Sequence, residues 1–258
     1  MKSIVLITPG QPSSNPRLVK EAISLSKAGY EVTVIYCFWV LWADQYDKTV
    51  IEENPSINWV RVGGHPKEGK MLYWYTRLRH KFFRIIANKL KSSTFWQQRA
   101  IIRCYNELRE AAASKRADLY IAHNAGALAP AAIAARNNRS IYAFDGEDFH
   151  RGEFSNADFL YGAIIQIENK YLPGVTYFTA ASPLIAKAYQ QCYPGKEVGV
   201  INNVFSRRFL QPINSHPGNV VNLFWFSQTV GTNRGLETVV KALNQLKEYE
   251  FVLNILGY

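Results

Sequence analysis

Short runs of Val, Ile and Phe recur along the chain, with stretches of helical length between them, and this rhythm constrains the fold most. The runs predict strands over residues 3–8, 31–37, 57–62, 118–122, 140–144, 175–179, 198–201, 220–226 and 251–256. The intervening stretches predict helices over 16–28, 71–90, 94–114, 127–136, 157–171, 183–191 and 235–248. Apolar strands bounded by Gly or Pro and followed by helices read as βαβ units, which build a parallel sheet covered on both faces. The predicted class is α/β, with Rossmann-like domains. Helix starts carry their own chemistry: Asn15-Pro16 and Ser182-Pro183 place a capping side chain before a proline at the first helical position, and Ala28-Gly29 supplies a stop.

One segment breaks the rhythm. Residues 205–219 hold Ser206, Pro212, Asn214, Ser215, Pro217, Gly218 and Asn219, the composition of a linker. The expected organisation is a domain over 1–204, a linker over 205–219 and the start of a second α/β domain over 220–258. Two strands and one helix cannot cover both faces of a parallel sheet, so the second domain is expected to be incomplete in this chain.

Charge narrows the partners. The chain carries 30 basic and 20 acidic residues, a net charge of +10, but ten cations face one acid within residues 67–103. There Arg77, Arg79, Lys81 and Arg84 interleave with Trp74, Leu78, Phe82 and Ile85. That pattern suits an amphipathic helix lying on an anionic membrane surface, and equally a helix packed on its domain with a solvated basic face. Nucleic acid is not the expected partner, although cations and aromatics together also suit it. The cysteines Cys37, Cys104 and Cys192 form no CxxC, which argues against a disulfide framework or zinc knuckle and for a reducing compartment. The first apolar run is too short for a signal peptide, and no run approaches a membrane span. The expected location is the cytoplasm, peripheral on the inner face of the membrane.

Candidate site residues stand where predicted strands end. Ligands bind open parallel sheets at that carboxyl edge. Residues 8–17 link the first strand to its helix, and the helix start at Asn15 favours an anion. The absence of GxGxxG there argues against a dehydrogenase. His123 follows the fourth predicted strand, where an imidazole either meets a sugar hydroxyl or developing charge, or satisfies a buried structural bond. Asp145, Glu147, Asp148 and His150 crowd the next strand end; carboxylates accept hydrogen bonds from sugar hydroxyls, and the same spacing suits turn and capping residues. Asp145, Glu147 and His150 make a metal site conceivable, although three near neighbours do not make a geometry.

Several of these segments resemble family 4 glycosyltransferases of the GT-B fold. They are Ile-Thr-Pro-Gly-Gln-Pro-Ser-Ser-Asn-Pro-Arg (7–17), Ala-Asp-Leu-Tyr-Ile-Ala-His-Asn (117–124) and Tyr-Ala-Phe-Asp-Gly-Glu-Asp-Phe-His (142–150). Further similarities lie in Ala-Ala-Ser-Pro-Leu-Ile-Ala-Lys-Ala-Tyr (180–189), Val-Ile-Asn-Asn-Val-Phe (200–205) and Phe-Ser-Gln-Thr-Val-Gly-Thr-Asn-Arg-Gly-Leu-Glu (226–237), in the family's order. The resemblance implies transfer of a sugar, with retention, from a nucleotide-sugar donor to a hydroxyl of a glycan or lipid-linked acceptor, with no metal and no cofactor besides the donor substrate. It implies His123 at the reacting centre and Asn15, Arg17, Asp145 and Glu147 on the acceptor. Gly10, Gln228, Arg234 and Gly235 would serve the donor phosphate. Gln228 stands where the family has arginine, Arg234 where it has lysine, and the family's paired-glutamate region would lie beyond Tyr258. A non-catalytic binding module and a nucleotide-sugar epimerase on the same fold are the alternatives.

Overall fold

The computed structural model describes residues 1–205, 220–227, 230–232 and 234–257, and the chain divides into two compact units at Val204/Phe205. In the first unit a seven-stranded, wholly parallel sheet runs in the order β3-β2-β1-β4-β5-β6-β7. The strands are β1 (Ser3–Thr8), β2 (Glu31–Phe38), β3 (Asn58–Gly63), β4 (Leu119–His123), β5 (Ile141–Gly146), β6 (Phe178–Ala180) and β7 (Gly199–Val200). The chain winds outward from β1 to β3 and then returns to the other side of β1 at β4. The β1/β4 boundary is therefore the topological switch point, where a crevice opens at the strands' carboxyl ends.

Alternation along the central strands sorts side chains to two cores. Ile4, Leu6, Val34 and Ile121 face Leu18 and Ala22 of α1 (Pro16–Lys27). Val5, Ile7, Ile35 and Ala122 face α5 (Tyr105–Ser114) and α6 (Ala125–Asn138), through Leu108 and Leu128. Ten of the fourteen residues of α6 are buried. Its run of alanines lets the helix backbone lie close to the sheet, and a Cβ added at Gly126 would sit 2.5 Å from the Ile102 side chain, which would have to shift.

Three differences from the sequence reading have physical causes. First, α2 (Leu41–Glu53) was not anticipated; its apolar pattern is weak because Trp42 and Tyr46 are exposed, yet parallel β2 and β3 need a crossover. Second, the expected helix over 94–114 is two helices, α4 (Thr94–Ala100) and α5, broken where Arg103 donates to the carbonyl of Gly64 at 2.9 Å. Third, the outer strands β6 and β7 are shorter than expected, which limits the exposed sheet edge. The basic stretch forms α3 (Lys70–Lys89), and α7 (Phe159–Tyr171) and α8 (Pro183–Cys192) complete the unit. None of the described helices is long and apolar enough to cross a membrane.

The second unit pairs β8 (Val220–Phe226) in parallel with β9 (Glu250–Leu256) through α9 (Leu236–Leu243). The helix starts after Gly235, whose φ of 82° only glycine adopts freely. Except for Phe205, the expected linker lies outside the described residues.

Candidate functional site at the sheet edge

Five predicted residues converge on the α1 side of the switch point. Asn15 caps α1, its Oδ1 accepting from the amide of Leu18 at 3.0 Å, and its Nδ2 donates to Glu147 Oε1 at 2.5 Å. Arg17, in the first turn of α1, donates from Nε and Nη2 to the two oxygens of Asp145 at 2.5 and 2.7 Å, and from Nη1 to the carbonyl of Ile201. Asp145, at the end of β5, also accepts from Thr179 Oγ1 at 2.6 Å. His123, at the end of β4, is fully buried: Nδ1 is 2.9 Å from Glu147 Oε1 and 3.5 Å from Asp145 Oδ2, and Nε2 is 2.8 Å from Glu21 Oε2 without hydrogen-bond alignment. Three carboxylates thus surround one imidazole and one guanidinium.

The electrostatics follow from this crowding. Burial by itself would lower the basicity of His123, but its bond to Glu147 and the adjacent carboxylates of Glu21 and Asp145 prevail and push its pKa up to about 10. At neutral pH the ring is an imidazolium that holds both protons, so it serves as a fixed cation and not as a proton acceptor. Burial would raise the Asp145 pKa, but the Arg17 bond, the His123 charge and the Thr179 bond together hold it below the usual carboxylate range. Arg17 is only 8% exposed and Asp145 2%, so each satisfies the other inside the protein. Glu147 is different: its side chain is 19% exposed, and among the described residues its Oε2 accepts no hydrogen bond. Glu21, at 27%, is the cluster's other carboxylate that reaches solvent.

Residues outside the sequence reading complete the arrangement. Glu21 stands four positions after Arg17 on the same helix face, a spacing that was available as a signal. Asp47 of α2 accepts from the Gln11 side chain and from the Ser13 amide at 2.5 and 2.8 Å, and the side-chain Oε1 of Gln11 accepts from the amides of Trp39 and Val40. These bonds fix the loop between β1 and α1. Asn124 has φ 74° and ψ 151°, a combination that costs a non-glycine residue about 1–3 kcal/mol, and it sits directly after His123.

Other predicted residues lie elsewhere. Gly10 lines a cavity of about 400 Å³ with Pro9, Cys37, Trp39, Arg103 and Asn124, on the sheet face opposite the ion cluster. Its amide donates to Thr8 Oγ1 at 3.2 Å. Arg234 and Gly235 belong to the second unit, where Arg234 is exposed and its carbonyl accepts from Trp225 Nε1 at 3.3 Å. Gln228 lies outside the described residues. His150 pairs with Glu153 at 2.5 Å and not with Asp145 or Glu147.

Glu21, His123 and Asp145 each bring one donor atom within 4.8 Å of the others, the spacing of a metal triad. Arg17 and the protonated His123 already neutralise these carboxylates, so the donor set fits an internal ion network better than a metal.

On α3, Arg77, Lys81 and Arg84 are exposed, whereas Arg79 points inward and pairs with Glu107 of α5 at 2.5 Å. Arg79 therefore leaves the set of residues expected at a membrane surface.

No family model and no curated protein matches the chain. Solved structures do. HepE of Anabaena, in complex with UDP-glucose, matches at TM-score 0.57 and 14% identity, over 99% of this chain and 60% of its own. Sucrose-phosphate synthase from Thermosynechococcus elongatus matches at TM-score 0.63 and 15% identity, over 99% and 62%. A putative UDP-N-acetylglucosamine 2-epimerase from Listeria monocytogenes matches at TM-score 0.54 and 11% identity, over 98% and 62%. The chain thus spans about 60% of the length of these three structures. At these identities the likeness shows the fold, an α/β architecture of the GT-B glycosyltransferase type.

Proposed function

We propose that the protein acts in glycosyl transfer from a nucleotide sugar to a hydroxyl of a glycan or lipid-linked acceptor, in the manner of family 4 and with retention. The observation that carries this reading is the cluster at the switch point of a GT-B-type fold. A partly exposed Glu147 is held there by Asn15 and by a buried imidazolium. A carboxylate fixed in this way accepts a hydrogen bond from a sugar hydroxyl without losing conformational freedom on binding. In this reading Glu147 and Asn15 meet the acceptor, and Arg17 and Asp145 hold them in place. His123 stands at the reacting centre and keeps Glu147 in place, its own charge being balanced by the carboxylates of Glu21, Asp145 and Glu147. Gly10, Gln228, Arg234 and Gly235 serve the donor phosphates, with a guanidinium at Arg234 suited to neutralise them. The nucleotide sugar is the substrate, and neither metal nor further cofactor takes part. The exposed cations of α3 hold the protein at the inner face of an anionic membrane.

The test is release of free nucleotide from a panel of nucleotide sugars, using protein expressed from its complete reading frame, with and without glycan and prenyl-linked acceptors. Release that depends on acceptor is the expected result. The Listeria neighbour favours a second reading, nucleotide-sugar epimerisation. Acceptor-independent conversion of the donor would select it. Saturable glycan binding with no turnover would leave a binding module.

A further inference from the structure

A groove of about 710 Å³ runs along α3 and is lined by Arg77, Lys81, Arg84 and Arg103, with Trp74 and Phe159 among its apolar walls. No acidic side chain lines it. Among the described residues, none of these four cations pairs with a carboxylate. Arg77, Lys81 and Arg84 form one stripe at spacings of four and three residues, about 6 and 4.5 Å along the helix axis. Like charges at such spacings destabilise a helix, and a bound anion reverses that penalty. The neutral side of the site points the same way: burial and the charges of Arg84, Arg103 and Arg79 lower the basicity of His80, whose Nε2 lies 2.8 Å from the carbonyl of Ala100.

Arg103 links this groove to the sheet edge. It lines both the groove and the smaller cavity that holds Gly10 and Asn124. Its position is fixed by the bond to the Gly64 carbonyl and by stacking of its guanidinium 4.7 Å from the ring centre of Tyr73. Beside the cations, Trp74, Leu78 and Ile85 are each about half exposed or more, at 48%, 66% and 51%. Charge, an aromatic wall and an exposed apolar strip therefore occur together on one helix.

We propose that this groove binds the phosphate or diphosphate ester of an amphiphilic acceptor, with the ester on Arg77, Lys81, Arg84 and Arg103 and the hydrocarbon chain along Trp74, Leu78 and Ile85. The assignment of the ligand as an acceptor rests on the glycosyl-transfer reading; the anion site itself does not. Guanidinium groups suit the ester because they bond phosphate oxygens in pairs, and Lys81 adds a point charge between them.

The experiment is isothermal titration calorimetry of the full chain, without donor, against farnesyl diphosphate, inorganic pyrophosphate and farnesol. Farnesyl diphosphate should bind saturably, pyrophosphate more weakly at the same site, and farnesol not at all. Lys81→Gln/Arg84→Gln should weaken farnesyl diphosphate by about tenfold or more with thermal melting unchanged, and Arg103→Gln, which also loses its bond to the Gly64 carbonyl, should weaken it likewise at a temperature where circular dichroism shows the variant folded. Pyrophosphate binding as tightly as farnesyl diphosphate would assign the groove to a free phosphate ligand and overturn the amphiphile. Absence of saturable binding, or binding that the variants leave untouched, would overturn the site. Adsorption to phosphatidylglycerol vesicles that farnesyl diphosphate does not compete away would also overturn it, since a merely charged surface behaves so. Binding intact with no acceptor-dependent nucleotide release would keep the groove and sink the transferase reading; release without binding would do the reverse.

Discussion

The first unit holds two groups of cations in opposite states. At the sheet edge Arg17 and His123 are buried and meet three carboxylates. On α3, Arg77, Lys81 and Arg84 are exposed and, among the described residues, meet none. A buried cation without a partner would cost several kcal/mol, so the sheet edge needs its carboxylates for the fold to persist. An exposed cation needs no partner, so the fold does not require carboxylates beside the stripe on α3. The difference separates charge required by the architecture from charge left available to a ligand.

Substitutions should separate the two groups in the same way. Arg17→Met should have the largest effect. It strands Asp145 without its two-pronged donor and should cost about 3–5 kcal/mol in urea unfolding followed by circular dichroism. His123→Gln comes next, with a dependence on pH. Because the folded pKa of His123 is raised to about 10, its contribution is fully present below the unfolded value near ~6.5. It is lost as pH rises through 10. The variant should therefore be destabilised by on the order of 3 kcal/mol at pH 6, with the deficit shrinking toward pH 10. Asp145, whose pKa is lowered, acts at the other limit: its contribution is present above the usual carboxylate range and falls away in acid.

Smaller effects are expected further out. Asp47→Ala removes the acceptor of the Gln11 side chain and Ser13 amide and should cost about 1–3 kcal/mol by the same unfolding measurement. The triple change Arg77→Gln, Lys81→Gln and Arg84→Gln should alter stability by no more than about 0.5 kcal/mol. It should nevertheless abolish binding to phosphatidylglycerol vesicles in a sedimentation assay. A large loss of stability in the triple variant would erase the distinction between the two groups.

Much of this contrast was legible in the sequence. Asn15, Arg17, His123, Asp145 and Glu147 all stand at strand ends or a helix start, so the βαβ rhythm alone brings them toward one edge. What the rhythm does not encode is which sheet face each occupies. His123 shares the α1 face with Ile121, whereas Gly10 lines the cavity on the opposite face. Glu21 went unread because one acid on a surface helix looks solvated until its tertiary partner is placed. Asp47 went unread together with α2, whose exposed Trp42 and Tyr46 blur the apolar period. Arg79 could have been set apart by spacing alone. It stands two residues from both Arg77 and Lys81, about 200° around the helix from each.

His123 is a buried imidazolium that holds Glu147 in place. Its ring nitrogens can be followed directly by 15N nuclear magnetic resonance of the histidine-labelled protein between pH 6 and 10.5. The account predicts two protonated nitrogens at pH 8 and loss of a proton only near pH 10. A His123 ring already neutral at pH 7 would contradict it.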